Sequence, residues 1–152
     1  MVALDKKVPD FAAPATGGTF KLSAQRGHPV VLYFYPKDNT PGCTMEGAQF
    51  RDLHKQFAKA GAVIVGISRD SLKSHESFKA KMAFPFELVS DADEKLCSEF
   101  DVIKMKNMYG RKMRGIESST FVIDAKGTLV REWRKVKVPG HAEAVLEAVR
   151  AL

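Results

Sequence analysis

The sequence predicts an α/β fold with a mixed central β-sheet flanked by helices. Three observations carry that reading. The run Val30-Val31-Leu32-Tyr33-Phe34-Tyr35 has the aromatic and β-branched character of a buried strand, and apolar residues at helical spacing follow it. A second apolar run then completes a strand–helix–strand unit, whose crossover calls for a parallel pair. The final third changes character, to two strand-like runs around a tight turn and a helix with one apolar side.

Pro9, Pro14, Gly17 and Gly18 punctuate the start of the chain, which reads as irregular. The first strand is expected from Pro29 to Tyr35. Residues 44–60 form the helix, with Phe50, Leu53 and Phe57 on one side and Ala48 and Ala60 beside them. Ala62 to Ser68 is the second strand. Ser71 to Met82 is a helix capped by Ser71 or Asp70. Phe86 to Val89 is a short strand, and Asp93 to Phe100 a short helix containing Cys97. Ser119 to Ile123 and Leu129 to Trp133 flank the turn Asp124-Ala125-Lys126-Gly127-Thr128. Gly140 to Leu152 closes the chain as a helix with Ala144, Val145, Ala148, Val149 and Leu152 on its apolar side. This is the element order of a thioredoxin-like domain, and the length fits one domain over residues 1–152.

Composition narrows the function. The hydrophobic content of 45% is that of an ordinary core, and no apolar run is long enough to span a bilayer. The start, Met1-Val2-Ala3-Leu4-Asp5-Lys6-Lys7, lacks the apolar segment of a signal peptide. Two cysteines do not make a disulfide framework, so a reducing, cytoplasmic setting is expected. The net charge of +6 gathers in Lys104, Lys106, Arg111, Lys112 and Arg114, and again in Arg131, Arg134, Lys135 and Lys137. No nucleic-acid-binding motif accompanies them, so they read as a solvated basic face rather than a nucleic-acid site.

The candidate chemistry centres on Cys43. It ends the stretch Pro36-Lys37-Asp38-Asn39-Thr40-Pro41-Gly42-Cys43, between the first strand and the helix. There the helix dipole and unpaired N–H groups favour an anion, and a thiolate so placed has a lowered pKa. Pro36 ends the strand and shapes the loop, while Pro41 and Gly42 start the helix. Thr40, three residues before the cysteine, is placed to reach the thiolate or an oxygen bound to it. Such a pocket holds a compact oxidant such as a peroxide, and the product on sulfur is a sulfenic acid.

Pro36-x-x-x-Thr40-x-x-Cys43 after an aromatic strand resembles the peroxidatic-cysteine motif of peroxiredoxins. Tyr33 to Thr44 is similar to the bacterioferritin-comigratory-protein, or peroxiredoxin Q, branch. The likeness continues through Ile67-Ser68-Arg69-Asp70-Ser71, Ser90-Asp91, Met108-Tyr109-Gly110 and Ser119 to Asp124, nearly the whole chain. The resemblance implies a thioredoxin-fold, thiol-dependent peroxidase acting on hydrogen peroxide and organic hydroperoxides without metal, haem or other cofactor. Thioredoxin, glutaredoxin or a small thiol would be its reductant, and a monomer is expected.

Two departures qualify what is carried over. The positions at which this branch places a resolving cysteine are Ala48 and, in the following helix, Lys79, so neither carries a thiol. Cys97 is the remaining candidate, but beside Leu96 and Phe100 it reads as a small apolar helix residue, so a one-cysteine cycle with an external thiol is expected. The branch also places an arginine three residues before the Phe of the Ser-Thr-Phe segment, and here that position is Ser118. Losing such a charged contact costs about 2–4 kcal/mol in a transition state, tens- to hundreds-fold in rate. If Ser118 lies opposite Trp133 or Arg134 across the hairpin, Arg134 is placed to compensate; Arg114 is the other candidate. With Ser118 in that position, a redox sensor or chaperone-like binder with little turnover is the alternative reading.

Other site types find little support. His28, His54, His75 and His141 show no metal-ligand spacing with one another or with the cysteines. There is no Cys-x-x-Cys, and Gly17-Gly18 lacks the rest of a phosphate loop. Met105, Met108 and Met113 read as mobile packing residues in a basic loop.

Overall fold

A computed structural model describes residues 1–152. Its main sheet has seven strands in the order β2-β1-β5-β4-β3-β8-β9. The central three, β3 (Val30–Phe34), β4 (Val63–Ser68) and β5 (Glu87–Ser90), run parallel. On one flank, β8 (Ser119–Ile123) and β9 (Leu129–Trp133) are antiparallel additions. On the other, β1 (Ala12–Ala15) pairs antiparallel with both β5 and β2 (Gly18–Lys21). The expected mixed central sheet is therefore present.

Alternation along β3 divides the core. Val30, Leu32 and Phe34 face one layer, with Val65, Ile67, Phe121 and Ile123 beside them and Leu96, Cys97 and Phe100 of α4 (Lys95–Glu99) and its C-cap packed over them. Val31, Tyr33 and Tyr35 face the other layer, formed by α1 (Pro41–Asp52), α2 (His54–Lys59), α3 (Leu72–Met82) and α5 (His141–Arg150). Phe50, Phe57, Phe78, Val145 and Leu146 fill that second layer.

Several expectations need correction. The irregular start contains the β1–β2 hairpin, turned at Thr16-Gly17, with Gly17 and the first residue of β2, Gly18, both at positive φ. The single helix expected over 44–60 begins at Pro41 and breaks at Leu53, whose φ of −98° and ψ of 1° interrupt it. The basic loop is a two-stranded antiparallel sheet, β6 (Ile103–Met108) and β7 (Arg111–Ile116). Tyr109 and Gly110 turn it with φ of 53° and 76°, the left-handed pair that a two-residue hairpin uses. Ser71, rather than Asp70, caps α3 by accepting from the Ser74 N–H at 3.1 Å.

Candidate active site

Strand β3 and the N-terminus of β8 converge at one end of the sheet. Phe34 pairs with Ser119 there, and the chain continues from β3 through Tyr35 and half-buried Pro36 into the cysteine loop. Pro41 occupies the first helical position of α1 and Thr40 its N-cap, so Cys43 lies in the first turn, as expected. Thr40 does not cap the helix with its side chain; its Oγ1 donates to the Lys37 carbonyl at 2.8 Å, closing the loop on itself.

Cys43 is a free thiol, 8% exposed. Burial pushes its pKa up, while the Thr40 hydroxyl, the Lys37 backbone and the Lys106 ammonium pull it down; burial prevails. The lowered pKa expected from the helix terminus is thus reversed in direction by desolvation. Glu46, one turn further along α1, is 2% exposed, with Oε2 unpartnered. Burial lifts its pKa to about 8, so a neutral carboxyl sits beside the thiol at neutral pH.

The loop is held from below by a polar network that the sequence reading missed. Asp38 accepts from the Tyr35 hydroxyl at 2.6 Å, from Ser74 Oγ at 2.8 Å and from His75 Nδ1 at 2.8 Å. His75 Nε2 meets the Val89 carbonyl at 2.9 Å, and the Asp38 N–H donates to Asp70 Oδ2 at 3.0 Å. Asp38, Asp70 and His75 offer ligand atoms within 4.8 Å of one another, a grouping that His and Cys spacing alone did not reveal. Hydrogen bonds within this network account for the grouping. The available signal was polar residues within a β–α loop and a helix otherwise packed on an apolar core.

Of the remaining candidates, Ser118 stays at this end of the sheet, next to Ser119, whereas Arg134 and Cys97 lie on its far face. Ser118 lies in the link between β7 and β8, and its carbonyl accepts from the Val136 N–H at 3.0 Å. Thr120, not Ser118, pairs with Trp133, and the register shifts at an irregularity between Val122 and Ile123. Arg134 donates to the Phe100 and Asp101 carbonyls at 3.0 and 2.8 Å and covers the Phe121 ring, on the sheet face opposite Tyr33 and Cys43. Arg114 makes a two-pronged pair with Glu94 at 2.6 and 2.5 Å. Cys97 is buried in the layer across the sheet from Cys43. Burial, then the Asp91 carboxylate capping its helix, hold its thiol far above the ordinary range. At the other resolving positions, Ala48 is partly covered and Lys79 pairs with Glu87 at 2.6 Å. A cation that the sequence reading left in the solvated patch, Lys106, favours ionisation of Cys43.

A nucleophilic sulfur at a helix start, with donors around it and no second thiol nearby, defines a thiol-dependent redox class. Comparison with known proteins narrows it. The AhpC/TSA family matches residues 4–132. Peroxiredoxin Bcp of Xanthomonas campestris is 58% identical over 143 residues, covering 93% of this chain and 89% of the relative. Peroxiredoxin Bcp of Bacillus subtilis is 47% identical over 150 residues, 98% and 96% of the two chains. Among solved structures, the X. campestris bacterioferritin comigratory protein, described in terms of its alkyl peroxide reduction activity, superposes with a TM-score of 0.88 at 56% identity, covering 93% and 90%. A cysteine-to-serine mutant of Xylella fastidiosa PrxQ gives 0.94 at 46% identity, covering 99% and 97%. The chain belongs to the AhpC/TSA family, in the bacterioferritin-comigratory-protein or peroxiredoxin Q branch of the peroxiredoxins. It has the thioredoxin-like fold of that family and is a peroxidase, with a peroxide as substrate and a thiol as reductant. No helix is long and apolar enough to cross a membrane.

Proposed function

We propose that residues 1–152 act as one domain that reduces hydrogen peroxide and organic hydroperoxides by a one-cysteine cycle on Cys43. The Cys43 thiolate attacks the terminal peroxide oxygen, so an S–O bond forms as the O–O bond breaks. The leaving alkoxide takes up a proton equivalent to the one the thiol gave up. Sulfur is oxidised by two electrons to the sulfenic acid and the peroxide is reduced by two to an alcohol, or to water. One external thiol then displaces water to give a mixed disulfide, and a second releases Cys43 and leaves as the disulfide.

The observation that carries the one-cysteine reading is the separation of Cys43 and Cys97 into layers on opposite faces of the sheet. Disulfide geometry needs Cα atoms within about 7 Å, and a seven-stranded sheet stands between the two layers. Thr40 and the first N–H groups of α1 stabilise charge developing on oxygen, and Pro36 shapes the entrance. The reductant is thioredoxin, glutaredoxin or a small thiol, all of which require a reducing compartment, so this reading puts the chain, as a monomer, in the cytoplasm. The monomer rests on the lack of a long exposed apolar strand at either terminus. A sulfenic-acid trap added with one equivalent of peroxide tests it. The trap should label Cys43 alone, and labelled protein should vanish when a small thiol is added first. An intramolecular Cys43–Cys97 disulfide in its place would overturn the one-cysteine cycle.

The upward shift at Cys43 and the serine at position 118 favour, as a second reading, a slow-turnover redox sensor. Peroxide consumption by Ser118→Arg separates them: a gain of roughly tenfold or more marks chemistry limited by the missing charge.

A further inference from the structure

Burial works against the Cys43 thiolate, and the two arginines expected to substitute at the Ser118 position, Arg114 and Arg134, are engaged with Glu94 and with the end of α4. The small hairpin brings another cation to the end of the sheet where β8 begins. We propose that Lys106 supplies the positive charge that stabilises the attacking thiolate in this chain, in place of an arginine at position 118. The proposal rests on Cys43 being the peroxide-reducing cysteine.

The fold delivers Lys106 to that place. It lies in the middle of β6, opposite Met113, and is half-buried although the hairpin around it is exposed. Its Nζ donates to the carbonyl of Ile116, two residues before Ser118. Ile116 is fully buried and ends β7, so the ammonium is fixed where the chain turns into β8. The first residue of β8 pairs with Phe34, the last of β3, and the cysteine loop follows directly. The head group is thereby held at the end of the sheet from which Cys43 emerges.

The charges act on one another in both directions. Lys106 favours ionisation of Cys43, and the thiolate in turn favours the charged form of Lys106. Burial of Lys106 opposes its charge, Glu117 supports it and Arg69 opposes it. Arg69 is tied to Glu94 at 3.0 Å. From α1, Glu46 opposes the thiolate, but its raised pKa keeps it largely neutral at pH 7. An ammonium has three donors, and the Ile116 carbonyl occupies one, leaving others for sulfur or a peroxide oxygen. As a point charge it favours the thiolate without gripping two oxygens as a guanidinium fork does.

The test is the pH dependence of Cys43 alkylation by iodoacetamide, read by mass, alongside peroxide consumption with excess dithiothreitol. Lys106→Met should move the alkylation midpoint up by about one pH unit and slow consumption roughly tenfold. Lys106→Arg should keep the midpoint near that of the unaltered chain. Lys104→Met removes another charge of β6, one paired with Asp101, and should leave both readings unchanged. An unshifted alkylation midpoint in Lys106→Met would overturn the proposal, as would an equal shift in Lys104→Met. Alkylation needs no turnover: if the unaltered chain consumes no peroxide, the peroxidase reading falls while the midpoints still decide the role of Lys106.

Discussion

Asp38 Oδ2 and His75 Nδ1 face each other at 2.8 Å with both side chains closed off from water, tying the cysteine loop to helix α3. The other ring nitrogen of His75 faces the Val89 carbonyl, which can only accept. The carboxylate and the carbonyl thus hold the ring from both sides, and the loop and helix α3 share one buried polar contact. Removing one partner strands the other in a dry interior. His75→Leu should cost about 3–5 kcal/mol in urea unfolding at neutral pH; a loss under about 1 kcal/mol would contradict the pairing.

The same pair sets an acid limb. Burial raises the Asp38 pKa, but hydrogen bonds from His75, Tyr35 and Ser74 outweigh it and leave the group below its ordinary value of 3.8. As pH falls, the unfolded chain takes up the proton first. The contribution to stability is complete above the unfolded pKa and drains away as pH drops through the lower folded one. His75→Leu should flatten this loss, as measured by unfolding at a series of pH values.

Glu46 has the opposite sign. Its folded pKa of about 8 lies above the ordinary 4.5, so the folded state holds the proton longer. Stability from this group is full below the ordinary value, falls as pH rises through the window, and levels off above the folded pKa. Glu46→Gln does not titrate. Its stability relative to the unaltered chain should improve by on the order of 3 kcal/mol between acid and neutral pH, at about 1.4 kcal/mol per unit. A difference that stays flat across the window would show the carboxyl to be hydrated.

Gly47 packs directly beneath Phe84. An alanine Cβ there would lie 2.4 Å from the Phe84 Cζ, and that ring is itself held against Phe78 and Phe86 at centroid distances of 5.1 and 4.9 Å. Alanine gains about 1 kcal/mol in helix propensity. Overpacking a closed aromatic cluster costs about 1–3 kcal/mol, so Gly47→Ala should lower the urea midpoint. A raised midpoint would mean that Phe84 moves aside freely.

Cys97→Ala should leave peroxide consumption with dithiothreitol within about twofold of the unaltered chain, because the thiol is protonated, buried and across the sheet. A collapse of turnover would assign it the resolving role.

Much of this was legible in the residues. Strands β8 and β9 fall where alternation and the turn between them predicted, and Cys43 sits in the first helical turn because Pro41 begins that helix. The β6–β7 hairpin was missed because it stands away from the main sheet. Most of its residues are exposed on both faces, so no apolar alternation marks it, and only Tyr109-Gly110 signals the turn. The β1 strand was hidden by Pro14, which reads as a breaker. The same gap concealed Lys106, since its contact with the Ile116 carbonyl exists only once β6 and β7 pair. It also drew attention to Arg134, which alternation alone could not assign to the far face. The Asp38–His75 pair joins residues 37 apart and leaves no local pattern.

If Cys43 alone sustains peroxide reduction, steady-state consumption of peroxide with excess dithiothreitol will depend on that thiol and no other. The unaltered chain should turn over many times, Cys97→Ala should match it, and Cys43→Ser should be silent. Sustained turnover by Cys43→Ser, or none by the unaltered chain, would contradict the account.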